Sequence, residues 1–313
     1  MKPQQTSYLF QKKNSQSSTK NGKIIEVLWE LKKTGRAEAT IKNIGKALHA
    51  LEKHCNLDNP EAVRTWIATA DKSDGYKRNL CSSYDHYTRQ HGLTWKKPKY
   101  RESAKMPKIP TEAKINYIIA NSPTKLATAL SISRDTGLRP VELTRLKLKD
   151  IDPTKGAIYP ETAKGGSTRV LKLKNATLNM LNKYIAKRNI KPNDYIFGTW
   201  NSDNYGKSFR YHRNKTAEKL QDLSIESIRL YDLRHFFATM TYHKTKDILF
   251  VKQQMGHRKI ETTLVYTQLL QFDKDDNYTC KIASNITEAT QLIESGFEFV
   301  TEMEGLKLFR KRK

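Results

Sequence analysis

The chain has 313 residues, with 57 Lys+Arg against 32 Asp+Glu and a formal net charge of +25. A field of that sign draws polyanions, so nucleic acid is the expected partner. A membrane role is set aside because no apolar run approaches the roughly 18 residues of a spanning helix. The ends carry no lipidation signal, and the opening MKPQQTSYLFQKKNSQSSTKNGK lacks the apolar core of a signal peptide. Cys55, Cys81 and Cys280 are scattered, which argues against a zinc site or a disulfide framework and fits a reduced chain in the cytoplasm; with nucleic acid as its expected partner, the chain is expected at the nucleoid.

Length suggests two domains of about 150 residues each. Residues 1–22 are polar, rich in Ser, Gln, Asn and Lys, and read as a flexible tail. Over 23–100 the apolar positions recur at helical spacing. Ile24, Ile25, Val27, Leu28 and Leu31 mark one helix, and Ile41, Ile44, Ala47, Leu48 and Leu51 a second. A third opens after Asp58-Asn59-Pro60, and a fourth runs through Tyr76, Leu80, Tyr84, Tyr87 and His91. The segment 101–111 is a basic linker, since Pro107 and Pro110 interrupt any helix there. Such a linker is either a solvated tether or a joint that lets two basic domains close around a duplex.

From 112 to 270 the pattern mixes helix and strand. Thr111 caps a helix that starts at Glu112, and a second covers Lys125 to Arg134 before the octapeptide TGLRPVEL. Pro140 suits a first helical turn, which puts Arg139 at a helix entry, free to face an anion or paired with Glu142 on the surface. Ala157-Ile158-Tyr159 and Val170-Leu171-Lys172-Leu173 read as strands joined across AKGGST, with Gly165-Gly166 as the hairpin signal. Lys164 then sits beside a hairpin tip, either swinging towards a phosphate or merely solvated. Leu178, Leu181 and Ile185 mark a further helix, followed by a polar stretch over 199–211 and a helix from Lys215 to Leu223.

In YDLRHFFAT, the spacing of Leu233, Phe236, Phe237 and Met240 marks them as core and leaves Arg234 and His235 on other faces. Arg234 is then a free cation or the surface partner of Asp232, and His235 a satisfied histidine of the core or an interface. Ile248 to Met255 form a helix that stops at Gly256. His257 follows at the turn, and a new helix near Glu261 carries Tyr266, so that the turn can present His257 and Tyr266 to one point. After Leu270, the strand-like NYTCKIA, helix-like TEATQLIESG and strand-like FEFVTE and LKLFRKRK suggest a β-α-β-β extension over 271–313.

Taken in order, TGLRPVEL, AKGGSTR, YDLRHFFAT and MGHRKIETTLVYT resemble the catalytic signature of the tyrosine recombinase (phage integrase) family, in its Xer-like and archaeal integrase-like branches. The resemblance implies a mainly α fold with a small β-sheet. A helical, SAM-like core-binding domain over 23–100 would precede an α+β catalytic domain over 112–270. It also implies a site-specific recombinase that cuts and rejoins double-stranded DNA through a 3′-phosphotyrosine, as a homo-oligomer, with four copies on two duplexes, and with no metal or other cofactor. Arg139 and Arg234 match the phosphate-holding arginines, Lys164 the general acid for the 5′ oxygen, His257 the second histidine and Tyr266 the nucleophile. Tyr231 departs from the pattern, standing where the family usually has histidine. A phenol ordinarily loses its proton only near pH 10 and cannot replace imidazole in proton transfer at neutrality, so a hydrogen bond to the phosphate is expected of it instead. Type IB topoisomerase-like relaxation and a non-catalytic DNA-binding role remain the alternatives. The extension resembles C-terminal additions of archaeal integrase-like proteins and either contacts a neighbouring protomer or caps its own subunit.

Overall fold

A computed structural model describes residues 22–101, 106–163, 165–268, 278–303 and 305–312. Nearly all of the expected tail, and Lys164, lie outside the described residues. The chain divides into two units, 1–105 and 106–313.

Among the described residues, four helices build the first unit: α1 over 22–33, α2 (Glu38–Glu52), α3 (Pro60–Thr69) and α4 (Asp74–Gln90). The starts follow from local chemistry, because the Asn59 and Ser73 side chains accept the orphan N–H groups of Ala62 and Tyr76 at the heads of α3 and α4. Ile24, Val27, Leu48, Leu51, Val63, Ile67, Leu80 and Tyr84 form the core. Ile25, which belongs to the apolar series of α1, faces solvent at 62% exposure. The buried phenols keep their hydrogen bonds: Tyr84 Oη donates to the Leu57 carbonyl at 2.6 Å and Tyr87 Oη to Asp58 at 2.8 Å.

The second unit is assembled around a helix buried on almost every side. After α5 (Glu112–Ala120), whose Thr111 cap accepts from Lys114 N, α6 (Thr124–Thr136) has its residues from Leu126 to Ser133 buried without interruption. A helix with no solvated face is an interior element. It is enclosed by α8 (Asn175–Ala186), α9 (Ser202–Leu220) and α10 (Asp232–Thr245). The short α7 (Pro140–Thr144) leads to three antiparallel two-residue strands in the order β1 (Ile151–Asp152), β2 (Ala157–Ile158) and β3 (Leu171–Lys172). These strands are shorter than the apolar runs suggested, and the β2–β3 connection spans 159–170 rather than a tight turn. The polar stretch over 199–211 is helical from Ser202, where α9 begins, with Tyr205 and Phe209 buried on one side. Their wide spacing among polar residues hid the helical period.

Two further helices, α11 (Ile248–Met255) and α12 (Glu261–Gln268), pack against α10. Residues 278–312 form β4 (Tyr278–Ala283), α13 (Ile286–Glu294), β5 (Glu298–Met303) and β6 (Leu306–Arg312), with the sheet order β4-β6-β5. Its core is small, centred on Ala283, Ala289 and Phe309. Among the described residues no helix is long and apolar enough to cross a membrane.

Candidate active site

The end of α6 sets the first functional side chain. The helix stops at Gly137 with φ of +61°, the chain extends through Arg139, and Pro140 opens α7. Arg139 therefore lies at a helix entry, and its backbone N–H donates to Glu142 Oε2 at 3.0 Å while its Nη1 donates to Oε1 at 2.7 Å. This is the pairing with Glu142 that sequence left open, but it lies inside the protein, with the Glu142 side chain fully buried.

Glu142 also accepts from Arg169 Nη2 at 2.6 Å and from the Ala163 backbone at 3.3 Å. Burial alone would raise its pKa, but the hydrogen bond and charge of Arg169, then the Arg139 bonds, outweigh it and hold the carboxyl below its ordinary value. Arg169 is buried as well, and the described residues hold no partner for its Nε and Nη1.

Arg234 brings a third guanidinium from α10. Only 2% exposed, it donates through Nη1 to the Gly137 carbonyl at 2.6 Å and through Nη2 to the Met255 carbonyl at 2.5 Å. It thereby ties the ends of α6 and α11 together, and its Nε has no partner among the described residues. Burial, then the charge of Arg139, lowers its pKa to about 10, so it remains a cation at neutrality. Three expectations are corrected here. Arg234 belongs to the interior because α10 is covered by α6 on one side and by α11 and α12 on the other, while Met240, expected in the core, is 43% exposed. Asp232 pairs with Arg229 at 2.9 Å and not with Arg234.

His257 follows Gly256, whose φ of +62° ends α11 and whose Cβ, were one present, would lie 2.7 Å from Arg169 Nη1. Its Nε2 faces Arg234 Nη2 at 3.2 Å and its Nδ1 faces the hydroxyl of buried Thr263 at 2.9 Å. A guanidinium can only donate, so Nε2 is the acceptor and Nδ1–H donates to Thr263. Burial, then the charges of Arg234, Arg139 and Arg169, brings the His257 pKa to about 4, leaving a neutral imidazole at neutrality.

Tyr266 lies on α12, buried in a cluster with Ala238, Val251 and Met255. Its hydroxyl meets His235 Nδ1 at 3.0 Å. Burial raises the phenol to about 12, against the opposing charge of Arg234. His257 and Tyr266 share the α11–α12 corner, but each has its own partner and the described hydrogen bonds do not join them. Tyr231, 44% exposed at the head of α10, sets its ring edge-on to His235 with centroids 5.3 Å apart. The Gly165-Gly166 turn borders this group, since a Cβ on Gly166 would come within 3.0 Å of the Gly256 carbonyl and 3.5 Å of Arg139 Nη1.

The structure thus brings Arg139, Arg234, His257 and Tyr266 to the region where α6, α10, α11 and α12 converge, with Tyr231 at its rim. Sequence reasoning missed Arg169, Thr263 and the contact of His235. Arg169 closes the AKGGSTR segment, Thr263 stands three residues before Tyr266, and His235 is adjacent to Arg234, yet nothing in those spacings distinguishes them from surface residues. Three guanidiniums and one carboxylate, Glu142, leave a surplus of two positive charges in a buried space. No group of residues suited to hold a metal ion occurs among the described residues.

Residues 108–271 match the profile described as the phage integrase family, and the chain belongs to that family. Among curated proteins, it is 29% identical over 162 residues to the tyrosine recombinase XerA of Saccharolobus solfataricus, covering 52% of each chain. It is 26% identical over 205 residues to XerA of Pyrococcus furiosus, covering 61% of this chain and 64% of the relative. The chain thus spans between half and two thirds of the length of these relatives. Among solved structures it shares the fold of the Tn1549 transposon integrase in complex with transposon right end DNA. The TM-score is 0.62 at 16% identity, covering 87% of this chain and 98% of that one.

Proposed function

We propose that the chain is a site-specific DNA recombinase that cuts and rejoins strands through a phosphotyrosine on Tyr266. The observation that carries this reading is the buried excess of guanidinium charge, with N–H groups on Arg169 and Arg234 that have no partner among the described residues, in the region that also holds a tyrosine hydroxyl. Buried donors without partners are rare in folded proteins and point to an anion that completes them. A phosphate in transfer spreads its charge over equatorial oxygens, and fixed cations in a water-poor site stabilise that charge most. Family membership and the DNA bound by the Tn1549 integrase support the choice of a DNA phosphodiester as that anion.

In this mechanism Arg139 and Arg234 hold the scissile phosphate. Neutral His257, fixed by Thr263, adds a hydrogen-bonding edge, and Tyr231 donates from the rim. Tyr266 attacks phosphorus and Lys164 protonates the departing 5′ oxygen. A 5′ hydroxyl of a partner strand then reverses the step, and storing the bond as a covalent intermediate divides one difficult displacement into two. Exchanging both strands of two duplexes takes four cuts, hence four copies of the chain, and the helical unit over 23–100 grips the duplex beside the cut. Such a protein works at the nucleoid.

Incubation with a nicked duplex that releases a short 5′-hydroxyl fragment should trap a covalent protein–DNA adduct, and peptide mapping should place the DNA on Tyr266. No adduct, or linkage to another residue, overturns the proposal. An adduct without strand exchange between two target-bearing duplexes would assign relaxation instead. Binding to duplex DNA should weaken steeply with salt, the log–log slope being about −0.9 per neutralised phosphate. Titrations at several salt concentrations measure this, and a flat response would remove the charge argument.

A further inference from the structure

Resting on the phosphotyrosine reading above, we propose that His235 is a catalytic residue, the group that takes the proton from Tyr266 as its oxygen attacks phosphorus. It is not among the residues to which the family resemblance gives a role. Its claim comes from geometry, since its Nδ1 lies 3.0 Å from the Tyr266 hydroxyl, the atom that must lose a proton for the new bond to form. A general base has to stand within hydrogen-bond reach of the proton it removes, and His235 does so.

The direction of that hydrogen bond follows from the chemistry of the two groups. Burial drives the phenol up to about 12, so the oxygen carries its proton at neutrality. Burial also lowers the His235 pKa, with Arg229 and Arg234 acting in the same sense and Asp232 opposing them, so the imidazole is neutral. Between a neutral imidazole and a phenol, the phenol is the stronger acid, so it donates and Nδ1 accepts with the ring proton on Nε2. Tyr231, edge-on at 5.3 Å, and Tyr266 itself, with ring centroids at 5.9 Å, confine the imidazole from two sides. Position 231 is where the family usually has a histidine, and a phenol there cannot accept a proton at neutrality. The nearby histidine one helical turn along α10 occupies the place from which that work can be done.

The step balances. The Tyr266 O–H bond breaks as the Oη–P bond forms, and the proton passes to His235 Nδ1 to give imidazolium. The P–O5′ bond breaks with its electron pair on the 5′ oxygen, which is protonated by the general acid. In the return step the deprotonated general acid takes the proton of the attacking 5′ hydroxyl as the O5′–P bond forms, the Oη–P bond breaks, and the imidazolium gives its proton back to Tyr266 Oη.

The full chain is tested by single-turnover adduct formation on the nicked duplex, with wild type, His235→Asn, His235→Ala and Tyr266→Phe as a blank. Asn sets an acceptor oxygen close to the Nδ1 position but cannot take up a proton, so it keeps the hydrogen bond without the base. Both His235 variants should react at least about 10²-fold more slowly at pH 7. The wild-type rate should fall on the acid side, below the ordinary histidine range near 6.5, and that limb should vanish in His235→Asn. A duplex with a 5′-bridging sulfur, whose leaving group needs no proton, separates acid from base: it should leave His235→Asn slow. Wild-type rates in His235→Asn with an unchanged acid limb, or full rescue by the bridging sulfur, overturn the assignment. A misfolded variant shows itself as lost duplex binding, in which case His235→Gln, judged by the same acid limb, replaces it. If wild type forms no adduct, the phosphotyrosine reading falls and this assignment with it; if wild type reacts and His235→Asn matches it, only this assignment falls.

Discussion

Arg234→Ala should lower the rate of covalent capture of a nicked duplex by at least about 10³-fold at saturating DNA, the range found for losing a fixed cation on a transferring phosphoryl group. The effect is expected to be large because Arg234 acts at two levels. Its charge lies beside Arg139 and Arg169, where the surplus positive field is set, and its two terminal nitrogens hold the Gly137 and Met255 carbonyls that position the entries to Arg139 and His257. Alanine removes the cation and also leaves two buried carbonyls and His257 Nε2 without their donor. Arg234→Lys separates these contributions, since an ammonium restores the charge but cannot span both carbonyls in the planar fork of a guanidinium. It should recover only part of the lost rate. Rates measured at several DNA concentrations distinguish weaker binding from slower chemistry, and an Arg234→Ala protein within tenfold of wild type at saturation would mean that Arg234 does not touch the phosphate.

The elements were legible in the sequence where side-chain periodicity coincided with a capping signal. Asn59 before Pro60, Thr111 before Glu112, and Gly256 after Met255 each mark a helix end that the structure shows at that place. The same logic put Arg139 at the head of α7, because proline after arginine fixes an extended entry. Legibility failed where the deciding interaction was long-range. Glu142 is three residues from Arg139, but its hold on Arg169 spans 27 positions. Arg234 reads as outward-facing in the sequence because one apolar stripe on a helix normally means one buried side, whereas α10 packs against α6, α11 and α12. His235 looked like an ordinary satisfied histidine, which in one sense it is, since its partner is Tyr266, 31 residues on. Pairings of that kind depend on how α10 and α12 pack, and no local period records them. Missing α9 over 202–211 had a different cause: in SDNYGKSFRY the apolar positions are too few to show a helical stripe, and the buried face rests on Tyr205, Gly206 and Phe209.

Glu142→Gln should destabilise the second unit by about 3–5 kcal/mol at pH 7, the range for removing one partner of a buried ion pair. The carboxylate is fully buried and takes four donors: Arg139 N, Arg139 Nη1, Arg169 Nη2 and Ala163 N. Glutamine preserves the shape but turns one acceptor oxygen into an NH2 group, which then faces a guanidinium donor to donor, and the two arginines lose their counter-charge. The loss is pH-dependent in a definite direction. A carboxyl whose folded pKa is depressed contributes stability that is complete above its unfolded value, about 4.3, and disappears as pH falls through the folded one. Glu142 is held low in this way, so the gap between wild type and Glu142→Gln should be widest near neutrality and should narrow below about pH 4. Denaturant midpoints of the two proteins at neutral and acid pH measure it. A gap that stayed constant across that range would show that Glu142 supports Arg139 and Arg169 by shape and not by charge. If the charge account holds, Arg139 and Arg169 in Glu142→Gln repel one another without a counter-charge, and the variant should regain stability when short duplex DNA supplies a phosphate.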